Sequence, residues 1–304
     1  MQLLIDMEWL HQLLRVQNQS WFFCHKEFFR QKWKAFGVDR YQVFQDWLTE
    51  FPQLREKIEI SISESCSHPF QWILFGCEDY PESFYCMMDP PLILTVVGDK
   101  PWLQVPCLSV VGSRKPTSDS LKWIDQELGD FVSLQPLVLV SGGAFGVDQA
   151  VHSLALRKKI PTVVFLPSGL GPIYPEALKD WIRAIIDGGG SLISEYPLQQ
   201  RMAKGFFHHR NRLIAQMGVT TLVIQAAAKS GTIMTGHLAA EAGRPLWVLP
   251  GHPLHSAYHG NLKLLQEGAT LVTSAQDLSL FFQVEILNFQ RQGAYVGTNL
   301  NFLN

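Results

Sequence analysis

Leu137-Val138-Leu139-Val140-Ser141-Gly142-Gly143-Ala144-Phe145-Gly146-Val147-Asp148 is the stretch that decides the fold class. Four apolar residues read as a strand buried on both faces, Ser-Gly-Gly breaks it, and Val147 onward opens a helix on which Asp148 and His152 share a face. The same text recurs on either side. Leu108 to Val111 runs into Gly112-Ser113-Arg114, Thr162 to Leu166 into Pro167-Ser168-Gly169, Thr221 to Ile224 into Gln225-Ala226, and Pro245 to Leu249 into Pro250-Gly251. Short apolar runs alternating with helical stretches predict an α/β fold, a mostly parallel, doubly wound sheet with its functional loops at the carboxyl ends of the strands. Two further apolar runs between Phe70 and Gly98 would add strands at an edge.

Around that core, 304 residues with 47% hydrophobic and 17% charged side chains suit about two domains and exclude a disordered or collagen-like chain. Residues 1–65 are expected to form a small helical domain: aromatics from Trp9 to Phe51 are dense there, and Leu10, Leu13, Leu14 and Phe29, Trp33, Phe36 fall at helical spacing. Those rings read as its core rather than as a base-stacking surface. The serine-rich Ser61 to Ser67 reads as a linker, residues 66–280 as the α/β domain, and residues 281–304 as a tail too short for another domain. Neither a secretory signal nor a membrane-spanning run is seen, so a cytoplasmic protein without membrane contact is expected. Five cysteines (Cys24, Cys66, Cys77, Cys86, Cys107) without a C-x-x-C pair read as reduced thiols, not as a disulfide framework or a zinc site.

Glycine and serine between a strand and a helix leave backbone N–H groups pointing outward at the positive end of the helix dipole, which makes an anion cradle. Gly112-Ser113-Arg114 adds a guanidinium to one such cradle. Ser141, Gly142, Gly143 and Gly146 form a second, and Lys229-Ser230-Gly231-Thr232 a third with its own lysine and hydroxyls. A plainer reading stands beside each. Every parallel sheet needs strand-glycine-helix turns, Asp148 in a first turn holds loop N–H groups more readily than it acts as a base, and a lone His152 is a packing residue. No G-x-G-x-x-G follows the first of these strands and no G-x-x-x-x-G-K-[ST] occurs, which disfavours dinucleotide and P-loop chemistry.

The 25 Lys+Arg and 27 Asp+Glu sum to a net charge of -2, which argues against a polyanion partner. Position argues the other way. Between Arg201 and Arg244 the cations Arg201, Lys204, Arg210, Arg212, Lys229 and Arg244 face a single acid, Glu241. Within that segment Gly205-Phe206-Phe207-His208-His209-Arg210-Asn211-Arg212 interleaves flat rings with guanidinium groups, the mixture that holds a single strand through phosphates and bases. These cations are expected to gather at one set of loops. The alternative keeps Phe206 and Phe207 in the core and uses both arginines to join loops or subunits.

Taken in order, Val110 to Pro116, Val140 to Asp148 with His152, Leu166 to Gly169 through Tyr174-Pro175, Ser194-Glu195-Tyr196-Pro197, Arg210 to Ala215, Lys229 to Thr232 with Thr235, Gly243-Arg244, Pro250-Gly251 and Gly260-Asn261 closely resemble the DNA-processing protein A family, DprA, also called Smf. Asp79-Tyr80-Pro81 and Pro90 to Gly98 look like that family's entry into its extended Rossmann-like domain. The resemblance implies a DNA-binding protein and not an enzyme, with no cofactor and no metal. Such a protein takes up incoming single-stranded DNA in natural transformation (competence), protects it, and loads the RecA recombinase onto it. It displaces or bypasses single-strand-binding protein and acts as a homodimer.

Carried over by matching position, the resemblance implies a DNA and phosphate site at Gly112, Ser113, Arg114, Ser141, Gly142, Gly143, Gly146, Lys204, Phe207, Arg210, Asn211, Arg212, Lys229, Ser230, Gly231 and Thr232. It leaves no length for the C-terminal winged helix of many relatives, and Gln216-Met217-Gly218 stands where Gly-Leu-Ser is usual. A rival, a nucleotide phosphoribohydrolase of the lysine-decarboxylase-like type, needs a glutamate three residues after its Gly-Thr. Here Met234 and Thr235 follow Thr232, and Glu241 is the nearest acid. A mononucleotide-binding module is a third reading.

Overall fold

Apolar runs become strands and the stretches between them helices throughout residues 70–75, 78–91, 93–196 and 198–291, which the computed structural model describes. The helical domain expected over residues 1–65 lies outside the described residues, with Cys24, and so do Cys66, Cys77, Pro197 and the chain beyond residue 291. Strands β1 (Gln71–Leu74) and β2 (Ile93–Gly98) come first. Then follow β3 (Cys107–Val111), helix α1 (Ser118–Trp123), a π turn over Ile124–Leu128, α2 (Gly129–Val132), β4 (Val138–Ser141), α3 (Val147–Lys158) and β5 (Thr162–Phe165). The second half runs α4 (Ile182–Asp187), β6 (Ser191–Ser194), α5 (Phe206–Met217), β7 (Thr220–Val223), α6 (Gly231–Glu241), β8 (Leu246–Val248), α7 (His259–Gln266), β9 (Thr270–Leu271) and α8 (Ala275–Arg291).

The strands form one sheet in the order β1-β2-β6-β5-β4-β3-β7-β8-β9. From β6 across to β9 every neighbouring pair is parallel, while β2 runs antiparallel to both β1 and β6, with Thr95 opposite Ser194. This is the expected extended Rossmann-like architecture, and the two apolar runs after Phe70 supply its antiparallel edge. Every residue of β3 to β7 is buried, as a parallel sheet covered on both faces requires.

The period-two alternation sorts side chains between two cores. Val111, Val138 and Val140 face Leu213 and Ile214 of α5, Ile233 of α6 and Leu264 of α7. Leu108, Val110 and Leu139 face the other layer, where the π turn, α3 and α8 contribute Leu128, Val151 and Phe282. Ser109, polar in the middle of β3, is satisfied by donating to the Ile214 carbonyl of α5 at 2.6 Å.

Two elements depart from what the apolar pattern announces. Ser191-Leu192-Ile193-Ser194 carries only two apolar residues, yet it is a central strand. Both serines are fully buried, and Ser194 Oγ donates to the Ser168 carbonyl at 2.7 Å. Helix α8 runs unbroken through residue 281, where the tail was expected to begin. Phe282 and Phe289 bury on it, Phe282 standing edge-on to Phe131 at 5.5 Å between ring centroids.

The topology also fixes where a ligand crevice must lie. After β3 the chain adds β4, β5 and β6 on one side, then crosses back along α5 to place β7 on the other side of β3. The helices that follow β3 and β7 therefore diverge, which opens a crevice at the carboxyl ends of these two strands.

Candidate nucleic-acid interface

A cavity of about 440 Å³ occupies this switch point. Its walls are the end of β3 with Gly112, Ser113 and Arg114, the start of α3 with Ala144 and Asp148, one face of α5, and Ala227, Ser230, Gly231, Thr232 and Thr235 around the start of α6. The loop after β3 is tied across the crevice: the Thr117 N–H donates to Gln225 Oε1 at 2.8 Å, and Ser120 Oγ bonds both Gln225 Oε1 and the Tyr258 hydroxyl at 2.8 Å. On the far side Asn261 is fully buried and fully satisfied. It donates to the Ile224 and Leu249 carbonyls and accepts from the Ala226 N–H, which joins the ends of β7 and β8. Two oriented groups face the opening. Ser230 caps α6, its Oγ accepting from the Ile233 N–H, and a Cβ added at Gly231 would meet nothing within 4 Å, so this helix start is open to the cavity. Opposite it, the exposed Arg114 guanidinium lies over the Phe207 ring at 5.0 Å, and Tyr174 stands edge-on to that ring.

Helix α5 turns Phe207, Arg210, Asn211 and Ile214 to the cavity, residues spaced i, i+3, i+4 and i+7 along one face. Arg210 is buried on the cavity floor, with Nη1 donating to the Phe165 carbonyl at 3.0 Å and Nε unpartnered. Burial pulls its pKa down to about 10, with the Asp148 carboxylate acting in the opposite sense, so it stays a cation at neutral pH. Arg212 does not share this site, contrary to expectation. Two residues further along a helix means about 200° of rotation, and Arg212 Nη2 instead donates to both Glu195 carboxylate oxygens at 2.5 and 2.6 Å, with Asp89 at 3.7 Å.

The glycines of the second predicted cradle are required by packing. A Cβ on Gly142 would overlap the Arg210 guanidinium, and one on Gly143 (φ +69°) would press into Leu178. Gly146 (φ +85°) lets the second loop lie against the backbone of Ser113 and Arg114, whose Ser113 carbonyl accepts from the Val147 N–H at 3.1 Å. Ser141 is likewise inside, donating to the Val110 carbonyl at 2.7 Å. Ser141, Gly142, Gly143 and Gly146 thus shape the site without lining it. The exposed Lys204, two residues before α5, and Lys229, beside Ser230, also lie outside the cavity wall.

Beneath the floor, Asp148 accepts from the Ala144 N–H at 3.2 Å, the loop-holding role read for it, and burial raises its pKa against the opposing pull of Arg210. Its place in the cavity wall was not foreseen, nor were Val111, Ala144, Ile214, Ala227 and Thr235; for Ile214, helical periodicity from Phe207 was the usable signal. His152 is fully buried. Thr162 Oγ1 gives its proton to the Leu139 carbonyl, so His152 Nδ1, 2.8 Å from that oxygen, is the protonated nitrogen and Nε2 is a bare, unpartnered acceptor. The cations of the Arg201 to Arg244 segment do not gather: Arg210 is floor, Arg212 is paired, and Arg244 lies at the opposite, amino end of the sheet before β8. No metal-holding group of three His, Cys, Asp or Glu occurs among the described residues, and no described helix is long and apolar enough to cross a membrane.

Comparison with known proteins places this geometry among relatives. The chain is 32% identical to Protein Smf of Synechocystis over 204 residues, 66% of this chain but only 51% of that protein. It is 34% identical to the DNA processing protein DprA of Streptococcus pneumoniae over 211 residues, 69% of this chain and 73% of that one, whose crystal structure superposes with a TM-score of 0.68. DNA processing protein A of Helicobacter pylori, described for its single-stranded DNA binding mode, superposes with a TM-score of 0.63 at 31% identity, covering 72% of this chain and 98% of that one. Residues 71–283 match the model of the family described as DNA recombination-mediator protein A, and this chain belongs to that family.

Proposed function

We propose that the switch-point cavity holds the sugar-phosphate backbone of single-stranded DNA and that the chain acts as a recombination mediator. The observation that carries this reading is that Arg114, set over Phe207, lines the same cavity as the open start of α6. A phosphate there meets a fork cation and unhindered helix N–H groups, beside the half-buried Phe207 ring. The exposed Lys204, two residues before α5, and Lys229, next to Ser230, offer cations to flanking phosphates. No duplex-reading helix is required. Binding is therefore sequence-tolerant and salt-sensitive.

On this reading the chain protects incoming single strands in the cytoplasm, loads RecA onto them past single-strand-binding protein, as in natural transformation, and works as a homodimer. It performs this role by binding rather than catalysis: the carboxylate in the cavity wall, Asp148, is engaged by the Ala144 N–H and faces Arg210. Fluorescence anisotropy with labelled single- and double-stranded oligonucleotides at two salt concentrations tests the reading. Single strands bind more tightly, affinity falls with salt by a log-log slope of about -0.7 per phosphate contacted, and Arg114→Ala makes that slope shallower. Equal affinity for duplex and single strand, or a salt slope unchanged in Arg114→Ala, contradicts it.

A further inference from the structure

Helix α6 begins at the switch-point cavity, and its far end feeds a second one. Gly243 (φ +67°) turns the chain out of the helix, and the Arg244 N–H donates back to the Ala239 carbonyl at 2.9 Å. This sets Arg244 in a cavity of about 380 Å³ at the amino ends of β7 and β8, with Val219, Pro245 and Phe289 as apolar walls and Glu285 and Asn288 of α8 as polar ones. The Arg244 side chain is only 9% exposed and stacks on Phe289 with 4.5 Å from Cζ to the ring centroid. Its Nε is buried without a partner, among the described residues the guanidinium makes no hydrogen bond or ion pair, and burial pulls its pKa down. Two arginines of α5 differ, since the buried Arg210 bonds the Phe165 carbonyl and the partly buried Arg212 donates through Nη2 to Glu195. A buried, unpaired Nε is costly, whereas a guanidinium already packed over a ring has lost much of its rotational freedom and presents its fork at little further entropic cost.

We propose that this second cavity binds a small organic carboxylate with an adjoining apolar group, its carboxylate on the Arg244 fork and its apolar part against Val219 and Pro245. Glu285 in the same cavity selects a singly charged carboxylate over a doubly charged phosphate ester. The same chemistry is offered by a free acyl amino acid and by the carboxyl end of a peptide. The proposal does not rest on the DNA reading, because the two cavities share no wall residue.

Isothermal titration calorimetry of the full chain with N-acetyl-leucine, N-acetyl-leucinamide and inorganic phosphate tests it. N-acetyl-leucine binds saturably, and the neutral amide and phosphate bind at least about tenfold more weakly, a loss of about 1.4 kcal/mol. Arg244→Lys, which keeps the charge and loses the fork, and Arg244→Gln both lower the N-acetyl-leucine affinity. A blocked tripeptide ending in leucine separates the two sources: tighter binding than N-acetyl-leucine supports a peptide end, weaker binding a free acid. Absence of saturable N-acetyl-leucine binding, equal binding of the amide, tighter binding of phosphate, or an Arg244→Lys affinity equal to that of the wild type overturns the proposal. If Arg244→Gln fails to fold, the acid and amide pair and the lysine variant still decide it.

Discussion

Gly142 and Arg210 occupy one volume between them: the place where a Cβ of residue 142 would lie is filled by the Arg210 guanidinium. The strand-end glycine is therefore a requirement of the cavity floor. Gly142→Ala must displace Arg210 and is expected to cost about 1–3 kcal/mol of stability, as overpacking of an interior does. In an Arg210→Ala background the same change meets an empty space, so a double-mutant cycle by denaturant unfolding should give a coupling of about 1–3 kcal/mol. Additive effects would place the two residues apart.

Arg114 and Arg212 separate binding from stability. Arg114 is exposed at the cavity mouth, so Arg114→Ala lowers single-strand affinity for all sequences alike and leaves the melting temperature nearly unchanged. Arg212→Ala removes the Arg212–Glu195 ion pair, in which Glu195 is 7% exposed, and is expected to cost about 1.5–3 kcal/mol of stability. Thermal melts of the two variants beside their binding curves check this, and a stable Arg212→Ala with reduced affinity would contradict the placement.

His152 gives the fold an acid limit. Burial foremost, and then Arg210, push its pKa down to about 3, so the folded state refuses a proton that the unfolded chain takes up near pH 6.5. Between those values the unfolded state binds more protons, and stability falls as pH drops from about 6.5 towards 3. His152→Gln, which retains an amide for Thr162, should show a flatter stability profile over this window in urea unfolding at pH 7 and pH 4.5. Parallel profiles would remove His152 from the acid response.

Helix α8 belongs to the sheet it covers. Phe282 is fully buried against Phe131, so Phe282→Ala is expected to cost about 3–5 kcal/mol, and a chain ending at residue 280 loses this packing altogether. Comparison of the two proteins by calorimetric melting checks it; a shortened chain as stable as the whole would make α8 dispensable.

Strand-glycine-helix repetition made the parallel sheet and its crevice readable, because β-branched runs buried on both faces have few other uses. Ser191 to Ser194 stayed hidden, since a strand with two buried serines does not read as apolar, and the Ser168 carbonyl that accepts from Ser194 is known only from the fold. At the cavity, Arg114, Ser230 and Gly231 were legible as strand-to-helix loop residues, and Phe207 and Arg210 as a ring and a cation. Adjacency in sequence then misplaced Arg212: in the helix that Phe206 to Met217 forms, residues two apart point to opposite sides. Net charge over a segment misled for the same reason, because burial and pairing, not count, decide which cations reach a ligand.

Gly231 offers the most direct test of the central claim. It starts α6 with open space where a side chain would lie, so Gly231→Leu leaves the packed structure untouched and fills the cavity in front of the helix N–H groups. Measured by anisotropy with a single-stranded oligonucleotide at fixed salt, its affinity should fall by about tenfold or more, a loss of about 1.4 kcal/mol or greater, at an unchanged melting temperature. Wild-type affinity in a folded Gly231→Leu protein would show that the strand binds elsewhere.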